Sequence, residues 1–257
     1  MHIDLTGRRA IVCGGSRGIG RWIALGLAEA GATVSACARG LPALQEVRAA
    51  SGGKIHVASC DLAREDQINA YIAEAAGALG GIDILVNNAT GYGLGDAEAD
   101  WEASLDVDLL AAVRASRAAM PHLMQAGARG LAGQGYGASI INISSGSGLN
   151  PSVRTPAYGA AKAAVIHYTR TQAAALAKHG IRANCVAPGS IEFPGGLWDR
   201  SKTENPALYG QILGAMPTGR LGRPEEVASV VAFLASPLAM WITAQVIGVS
   251  GGQGFAR

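Results

Sequence analysis

Arg9-Ala10-Ile11-Val12-Cys13-Gly14-Gly15-Ser16-Arg17-Gly18-Ile19-Gly20 joins two kinds of pattern at a glycine-rich turn. Arg9 to Cys13 is an apolar, strand-length run. Ile19 to Ala30 carries apolar residues at helical spacing. Between them, Gly14, Gly18 and Gly20 form G-x-x-x-G-x-G. Glycine tolerates positive φ and lets backbone approach a ligand closely, and a helix that starts here offers free N–H groups and a positive dipole end. A turn of this kind in the first strand–helix unit of a chain predicts a seat for nucleotide phosphates.

The alternation continues outward. Thr33 to Ala38, Lys54 to Ser59, Ile82 to Asn87, Ser139 to Ser144, Ile181 to Ala187 and Gln245 to Val249 read as strands. Leu41 to Ala50, Glu65 to Leu79, Trp101 to Gln125, Pro156 to His179 and Pro224 to Ala235 read as helices, with Pro121 expected to bend or end the third of these. The strands are continuous apolar runs, as in sheets covered on both faces. Repeated βα units predict an α/β fold, a parallel doubly wound sheet. There is no internal repeat and no linker, so residues 1–257 are expected to form one domain. Two stretches interrupt the pattern. Gly127 to Gly137 is Gly-rich and is expected to be a surface loop. Ser190 to Gly219 contains Pro194, Gly195, Gly196, Pro206 and Pro217, and is expected to be a long loop acting as a substrate lid.

Composition narrows the function. Of the 257 residues, 49% are hydrophobic and 16% charged, which excludes a disordered chain. The net charge of +2 argues against nucleic acid, whose phosphates demand a concentrated basic patch. Cys13, Cys37, Cys60 and Cys185 form no C-x-x-C pair and have no His at ligand spacing, so buried thiols are expected, and no metal. No apolar signal core opens the chain and no run of about 18 apolar residues occurs, so the expectation is a cytoplasmic protein without a membrane partner.

Two further positions carry chemistry. NAD-preferring sites place a carboxylate after the second strand; here Cys37-Ala38-Arg39-Gly40 has none. Arg39 and Arg17 suit a ribose 2′-phosphate, so NADP(H) is expected over NAD(H). Asp61, after the third strand, either caps the next helix or meets the adenine amino group. Tyr158 and Lys162, four apart, share one helix face. A phenol with pKa about 10 is a poor proton-transfer group at neutral pH, and a neighbouring ammonium favours its phenolate. Ser145 ends the strand before this helix, and its hydroxyl is suited to a carbonyl oxygen.

The glycine turn, Asn87-Asn88-Ala89, the Ser145/Tyr158/Lys162 set, Pro188-Gly189 and Gly222-Arg223-Pro224-Glu225-Glu226-Val227-Ala228, in this order, resemble the classical short-chain dehydrogenases/reductases, especially members like the 3-oxoacyl-carrier-protein reductases. The resemblance runs from Leu5-Thr6-Gly7 to Ser250-Gly251-Gly252. It implies a Rossmann fold with a seven-stranded, mostly parallel sheet and helices on both faces. It also implies that Tyr158 donates or accepts the proton, Ser145 positions the substrate oxygen, and Lys162 binds the nicotinamide ribose and tunes Tyr158. Cofactor contacts are implied for Gly14, Ser16, Arg17, Gly18, Ile19, Gly20, Arg39, Asp61, Leu62, Asn88, Ala89, Tyr158, Lys162, Pro188, Gly189 and Ile191, and a sheet- and cofactor-securing role for Asn87. A homotetramer is implied, or at least a dimer. One interface would use the helices at Trp101 to Gln125 and Pro156 to His179, and the other Pro224 to Ala235 with the last strand.

Four residues depart from the family pattern. Cys13 stands for its Thr, a weaker hydrogen-bonding group. Asp108 stands for the Asn of its proton relay and is expected to substitute for it in the catalytic set. Phe193 removes a hydroxyl expected near the cofactor, and Thr90 replaces a Gly. On the substrate side Leu149, Asn150, Pro151, Val153 and Arg154, with Phe193, Leu197, Trp198, Tyr209 and Met216 from the lid, suggest an apolar pocket. The expected function is an NADP(H)-dependent oxidoreductase interconverting a small-molecule ketone and a secondary alcohol. The alternatives are a 3-oxoacyl-carrier-protein reductase and a non-catalytic NADP-binding sensor, which the intact Ser/Tyr/Lys set disfavours.

Overall fold

The computed structural model describes residues 2–253. Seven strands, β1 (Arg9–Cys13), β2 (Thr33–Ala38), β3 (His56–Ser59), β4 (Ile84–Asn87), β5 (Ala138–Ile143), β6 (Ile181–Pro188) and β7 (Val246–Val249), form one sheet in the order β3-β2-β1-β4-β5-β6-β7. Every neighbouring pair is parallel, so the sheet is wholly rather than mostly parallel. Its central strands are buried along nearly their whole length. On one face lie α1 (Gly18–Glu29), α2 (Leu41–Ala50) and α10 (Pro224–Ala235), around Ile23, Leu27, Leu44 and Val231. On the other lie α3 (Glu65–Leu79), α5 (Ala111–Ala132) and α7 (Pro156–Leu176), around Ile68, Ile72, Leu123 and Ala173.

Strand order reverses between β1 and β4, and the register aligns Cys13 with Asn87, and Asn87 with Asn142. The carboxyl ends of these strands therefore stop at one level, which is where open α/β sheets bind ligands.

Three expectations are corrected. The helix at Trp101 begins as α4 (Glu98–Ala103), widens into a π-helical segment at Ser104–Leu110, and continues as α5 through Pro121. Pro121 does not end it: the residue lies on an exposed face, where water can serve the carbonyl that its missing N–H leaves free. The Gly127–Gly137 loop is mostly helix, since α5 runs to Ala132; Gly127 is buried there, and a Cβ on it would run into the His179 carbonyl. The lid stretch is not an irregular loop either. It folds into α8 (Leu197–Glu204) and α9 (Pro206–Gly214), where Asn205 caps α9 through its side chain and Pro206 takes the first turn. Among the described residues, no helix is long and apolar enough to cross a membrane, and no cluster of His, Cys, Asp and Glu is arranged to hold a metal.

Candidate active site

A cleft of about 1210 Å³ crosses the carboxyl ends of the strands. One end is the glycine turn. Gly14 lies against Ala89, where a Cβ would fall 2.8 Å from the Ala89 Cα, and a Cβ on Gly20 would run into the Gly14 carbonyl and Asn88 Nδ2. Asn88 Nδ2 donates to that carbonyl at 2.8 Å, tying the turn to the end of β4. The Gly14 and Gly15 amides both donate to Cys37 O, so backbone bonds hold the turn that a Thr at Cys13 would have helped anchor. Beyond the turn the cleft passes Ser16, Arg17, Ile19, Arg39, Asp61 and Leu62. The Arg17 guanidinium stacks 5.6 Å from the Tyr92 ring centroid. Asp61 Oδ1 accepts the Ala63 amide at 3.1 Å, bracing the turn before α3, while the residue still lines the cleft.

At the opposite end lie Ser145, Tyr158, Lys162, Pro188 and Gly189. Ser145 follows β5 and caps the short helix α6 (Gly146–Leu149), its Oγ accepting the Ser147 amide at 3.1 Å. Its hydroxyl favours the Tyr158 phenolate. Pro156 starts α7, and one turn separates Tyr158 from Lys162, whose Nζ lies 5.6 Å from the phenol ring centroid. Lys162 Nζ donates to the Ile143 carbonyl at 2.9 Å and pairs with Asp108 Oδ1 at 3.0 Å. Asp108 Oδ2 accepts the Gly91 amide at 3.1 Å. Burial pushes the Tyr158 phenol above its ordinary pKa; Lys162 opposes this and Asp108 adds to it. Burial alone would lower the Lys162 ammonium, but Asp108, together with Tyr158 and Cys185, makes the net shift upward.

The fold thus brings nearly all the expected site residues to one cleft, with two exceptions among them. Ile191 does not line it: this residue is buried, packs in the core and bridges to Gly222, while Ser190 and Phe193 flank the cleft. Asp108 is buried behind Lys162 and does not line it either. Asn87 points into the sheet, its Nδ2 donating to Asn142 Oδ1 at 2.8 Å, and it is Asn88 that reaches the cleft. On the substrate side Asn150, Pro151, Arg154, Phe193, Leu197 and Trp198 line the cleft. Leu149 and Val153 face solvent, Met216 is buried away from the cleft, and Tyr209 donates instead to Glu192 Oε2 at 2.8 Å.

Sequence reasoning missed Tyr92, Leu208 and Ile212, which also line the cleft. Leu208 and Ile212 had a legible signal, an i, i+4 apolar pair just after Pro206. Tyr92 had none: it sits at φ 57°, a conformation set by the loop rather than by its residue type.

A family model described as enoyl-(acyl carrier protein) reductase matches residues 14–253. The chain is 36% identical over 255 residues to nodulation protein G of Rhizobium sp. (strain N33), covering 97% of this chain and 98% of the relative. It is 35% identical over 255 residues to the 3-oxoacyl-[acyl-carrier-protein] reductase of Vibrio cholerae serotype O1, covering 98% and 99%. A solved structure from Sinorhizobium meliloti 1021, described as a short-chain alcohol dehydrogenase, superposes with a TM-score of 0.89 at 31% identity over all of both chains. The cleft, its strand order and these likenesses agree: the chain belongs to the short-chain dehydrogenases/reductases, nicotinamide-dependent oxidoreductases that act on CH–OH groups and their carbonyl counterparts.

Proposed function

We propose that this protein is an NADP(H)-dependent oxidoreductase that interconverts a ketone and a secondary alcohol, with Tyr158 as the proton-transfer group. The observation that carries this reading is the convergence of Ser145, Tyr158 and Lys162 at one end of a cleft whose other end is a Cβ-free cradle flanked by two arginines.

The residues fit a dinucleotide. The glycine turn leads into the N-terminus of α1, which has no side-chain cap and whose first amides lack helical partners, suited to a diphosphate. Arg17 and Arg39 supply fixed positive charge for a 2′-phosphate, and Cys37-Ala38-Arg39-Gly40 at the end of β2 carries no carboxylate to repel one. Lys162 has a donor left over after Ile143 and Asp108, suited to a ribose hydroxyl. When bound, the nicotinamide supplies the hydride that reaches the carbonyl carbon.

The protein's own residues do the rest. Ser145 Oγ donates to the substrate carbonyl oxygen and orients it. Tyr158 Oη releases its proton to that oxygen as the carbon gains the hydride, and the phenolate is reprotonated from solvent. Holding these groups in near-attack geometry supplies much of the rate. Helices α8 and α9 act as the lid of a single functional unit, with Leu197, Trp198, Leu208 and Ile212 offering an apolar wall to the substrate.

The likeness to a 3-oxoacyl-[acyl-carrier-protein] reductase makes acyl thioesters the second substrate class to test. A panel of ketones and 3-oxoacyl thioesters, followed by loss of NADPH absorbance, decides between them. Turnover of none, with dinucleotide still bound, would favour a sensor instead.

A further inference from the structure

Asp108 and Lys162 form an ion pair enclosed by protein, their side chains 0% and 3% exposed. Such a pair repays its burial better as more of its remaining hydrogen-bonding capacity is met. Here the Ile143 carbonyl takes one Lys162 proton at 2.9 Å, and the Gly91 amide meets the second carboxylate oxygen at 3.1 Å. Asp108 is a buried residue of the π-helical segment at Ser104–Leu110, a widened turn of the kind that occurs frequently at functional sites. The loop after β4 is pressed onto it: a Cβ on Gly91 would run into the Ala103 carbonyl.

The consequence falls on Tyr158. Lys162 is the cation that favours the phenolate, and Asp108 engages that cation directly. The other groups bearing on Tyr158 are the Ser145 hydroxyl, next to it, and the Tyr92 phenol from the loop after β4. Lys162 also faces Cys185 on β6, whose thiol is pushed up to about 11 and so carries no charge near neutral pH. Farther out along the cleft stand the carboxylates of Glu102 and Asp106 and the guanidinium of Arg154.

We propose that Asp108 is a positioning residue that takes up the charge of Lys162, so that Tyr158 is held as a neutral phenol and the site is set to give a proton rather than take one. The protein is then built for carbonyl reduction, and the reverse oxidation is confined to alkaline pH, where the phenolate forms. This rests on the reading of Tyr158 as the proton-transfer group. Burial and Asp108 both raise the phenol, in agreement with the geometry, and only Lys162 and Ser145 oppose them.

The test is a spectroscopic titration of the protein without cofactor. Tyrosinate absorbance is followed against pH, and Tyr158 is isolated by subtracting the Tyr158→Phe curve. In the wild type Tyr158 is expected to titrate above about 10, the ordinary value for tyrosine. In Asp108→Asn, which keeps the shape and an acceptor for Gly91, the midpoint is expected to fall by about one unit or more. With cofactor and alcohol, the pH at which oxidation reaches half its maximum is expected to fall by a similar amount. A wild-type midpoint below 10, or an Asp108→Asn midpoint that is unchanged or higher, overturns the proposal. The wild-type measurement stands even if the variant fails to fold. These outcomes are separate from the catalytic assignment of Tyr158, which fails only if Tyr158→Phe keeps its turnover.

Discussion

The ring of Phe193 rests on Gly18: a Cβ on that glycine would lie 2.5 Å from Phe193 Cζ. The family's hydroxyl is therefore replaced by an aromatic ring seated in the cradle itself. If a diphosphate lies over this turn, the ring competes with it. Phe193→Thr is expected to bind NADPH roughly threefold to tenfold more tightly, the worth of one hydrogen bond gained and one obstacle removed. Fluorescence titration measures this, and weaker binding by the variant refutes it.

Tyr158→Phe is expected to keep dinucleotide affinity and lose about 10²- to 10⁴-fold in turnover, the usual contribution of a general acid–base group. The ring packing is retained and only the phenol oxygen goes. Steady-state kinetics on any accepted substrate checks it, and activity within threefold of wild type removes Tyr158 from the role.

Arg39→Asp is expected to reverse cofactor preference from NADP(H) to NAD(H). One charge-assisted hydrogen bond contributes about 1.5–3 kcal/mol, so its loss alone lowers affinity for the phosphorylated cofactor roughly tenfold or more. Paired titrations with both cofactors measure the ratio. Tighter binding of NAD(H) by the wild type contradicts the assignment.

Asp83 is buried at the foot of β4, where it takes the Arg9 amide at 2.9 Å and pairs with Arg9 at 2.7 Å and Arg129 at 2.8 Å. Burial alone would raise its pKa, but the Arg9 bonds and the two guanidinium charges hold the carboxyl below its ordinary value of 3.8. A carboxyl lowered in the folded state adds stability that is fully present above the unfolded value and is lost as pH falls through the folded one. Asp83→Asn is therefore expected to cost about 3 kcal/mol at neutral pH. The gap from wild type should close as pH drops below 3.8. Urea denaturation at neutral and at acid pH tests both parts.

In solution the protein is expected to be a homotetramer, or at least a dimer. Strand β7 ends the sheet with one edge unpaired among the described residues, and Leu238, Met240 and Trp241, which precede it in the chain, are exposed, Trp241 at 94%. On α7, Ala160 and Ala163 are exposed small residues where a helix could approach closely, whereas Ala157 and Ala161 turn into the chain's own core. Light scattering at micromolar concentration should return a multiple of 26.1 kDa; a monomer alone would falsify this.

The sequence by itself determined the layered plan and most of the cleft. Both are written in local signals: strands buried on two faces must be continuously apolar, a phosphate turn needs glycine where a Cβ would strike backbone, and residues four apart on a helix share a face. Gly14 to Gly20, Ser145, Tyr158 and Lys162 were legible for that reason. Tertiary structure alone decided the rest. Pro121 does not end its helix because the carbonyl it leaves free lies on an exposed face, which only the fold decides. The lid's helices were hidden among prolines that turned out to start one of them. Asp108 is expected near Lys162 from the family pattern, but its bond from the Gly91 amide and its full burial join segments far apart in the chain. Phe193 announced a missing hydroxyl but not where its ring would go. A residue's local conformation follows from its neighbours in sequence, but the charge, void or ring that faces it comes from wherever the chain folds back, and no spacing rule encodes that.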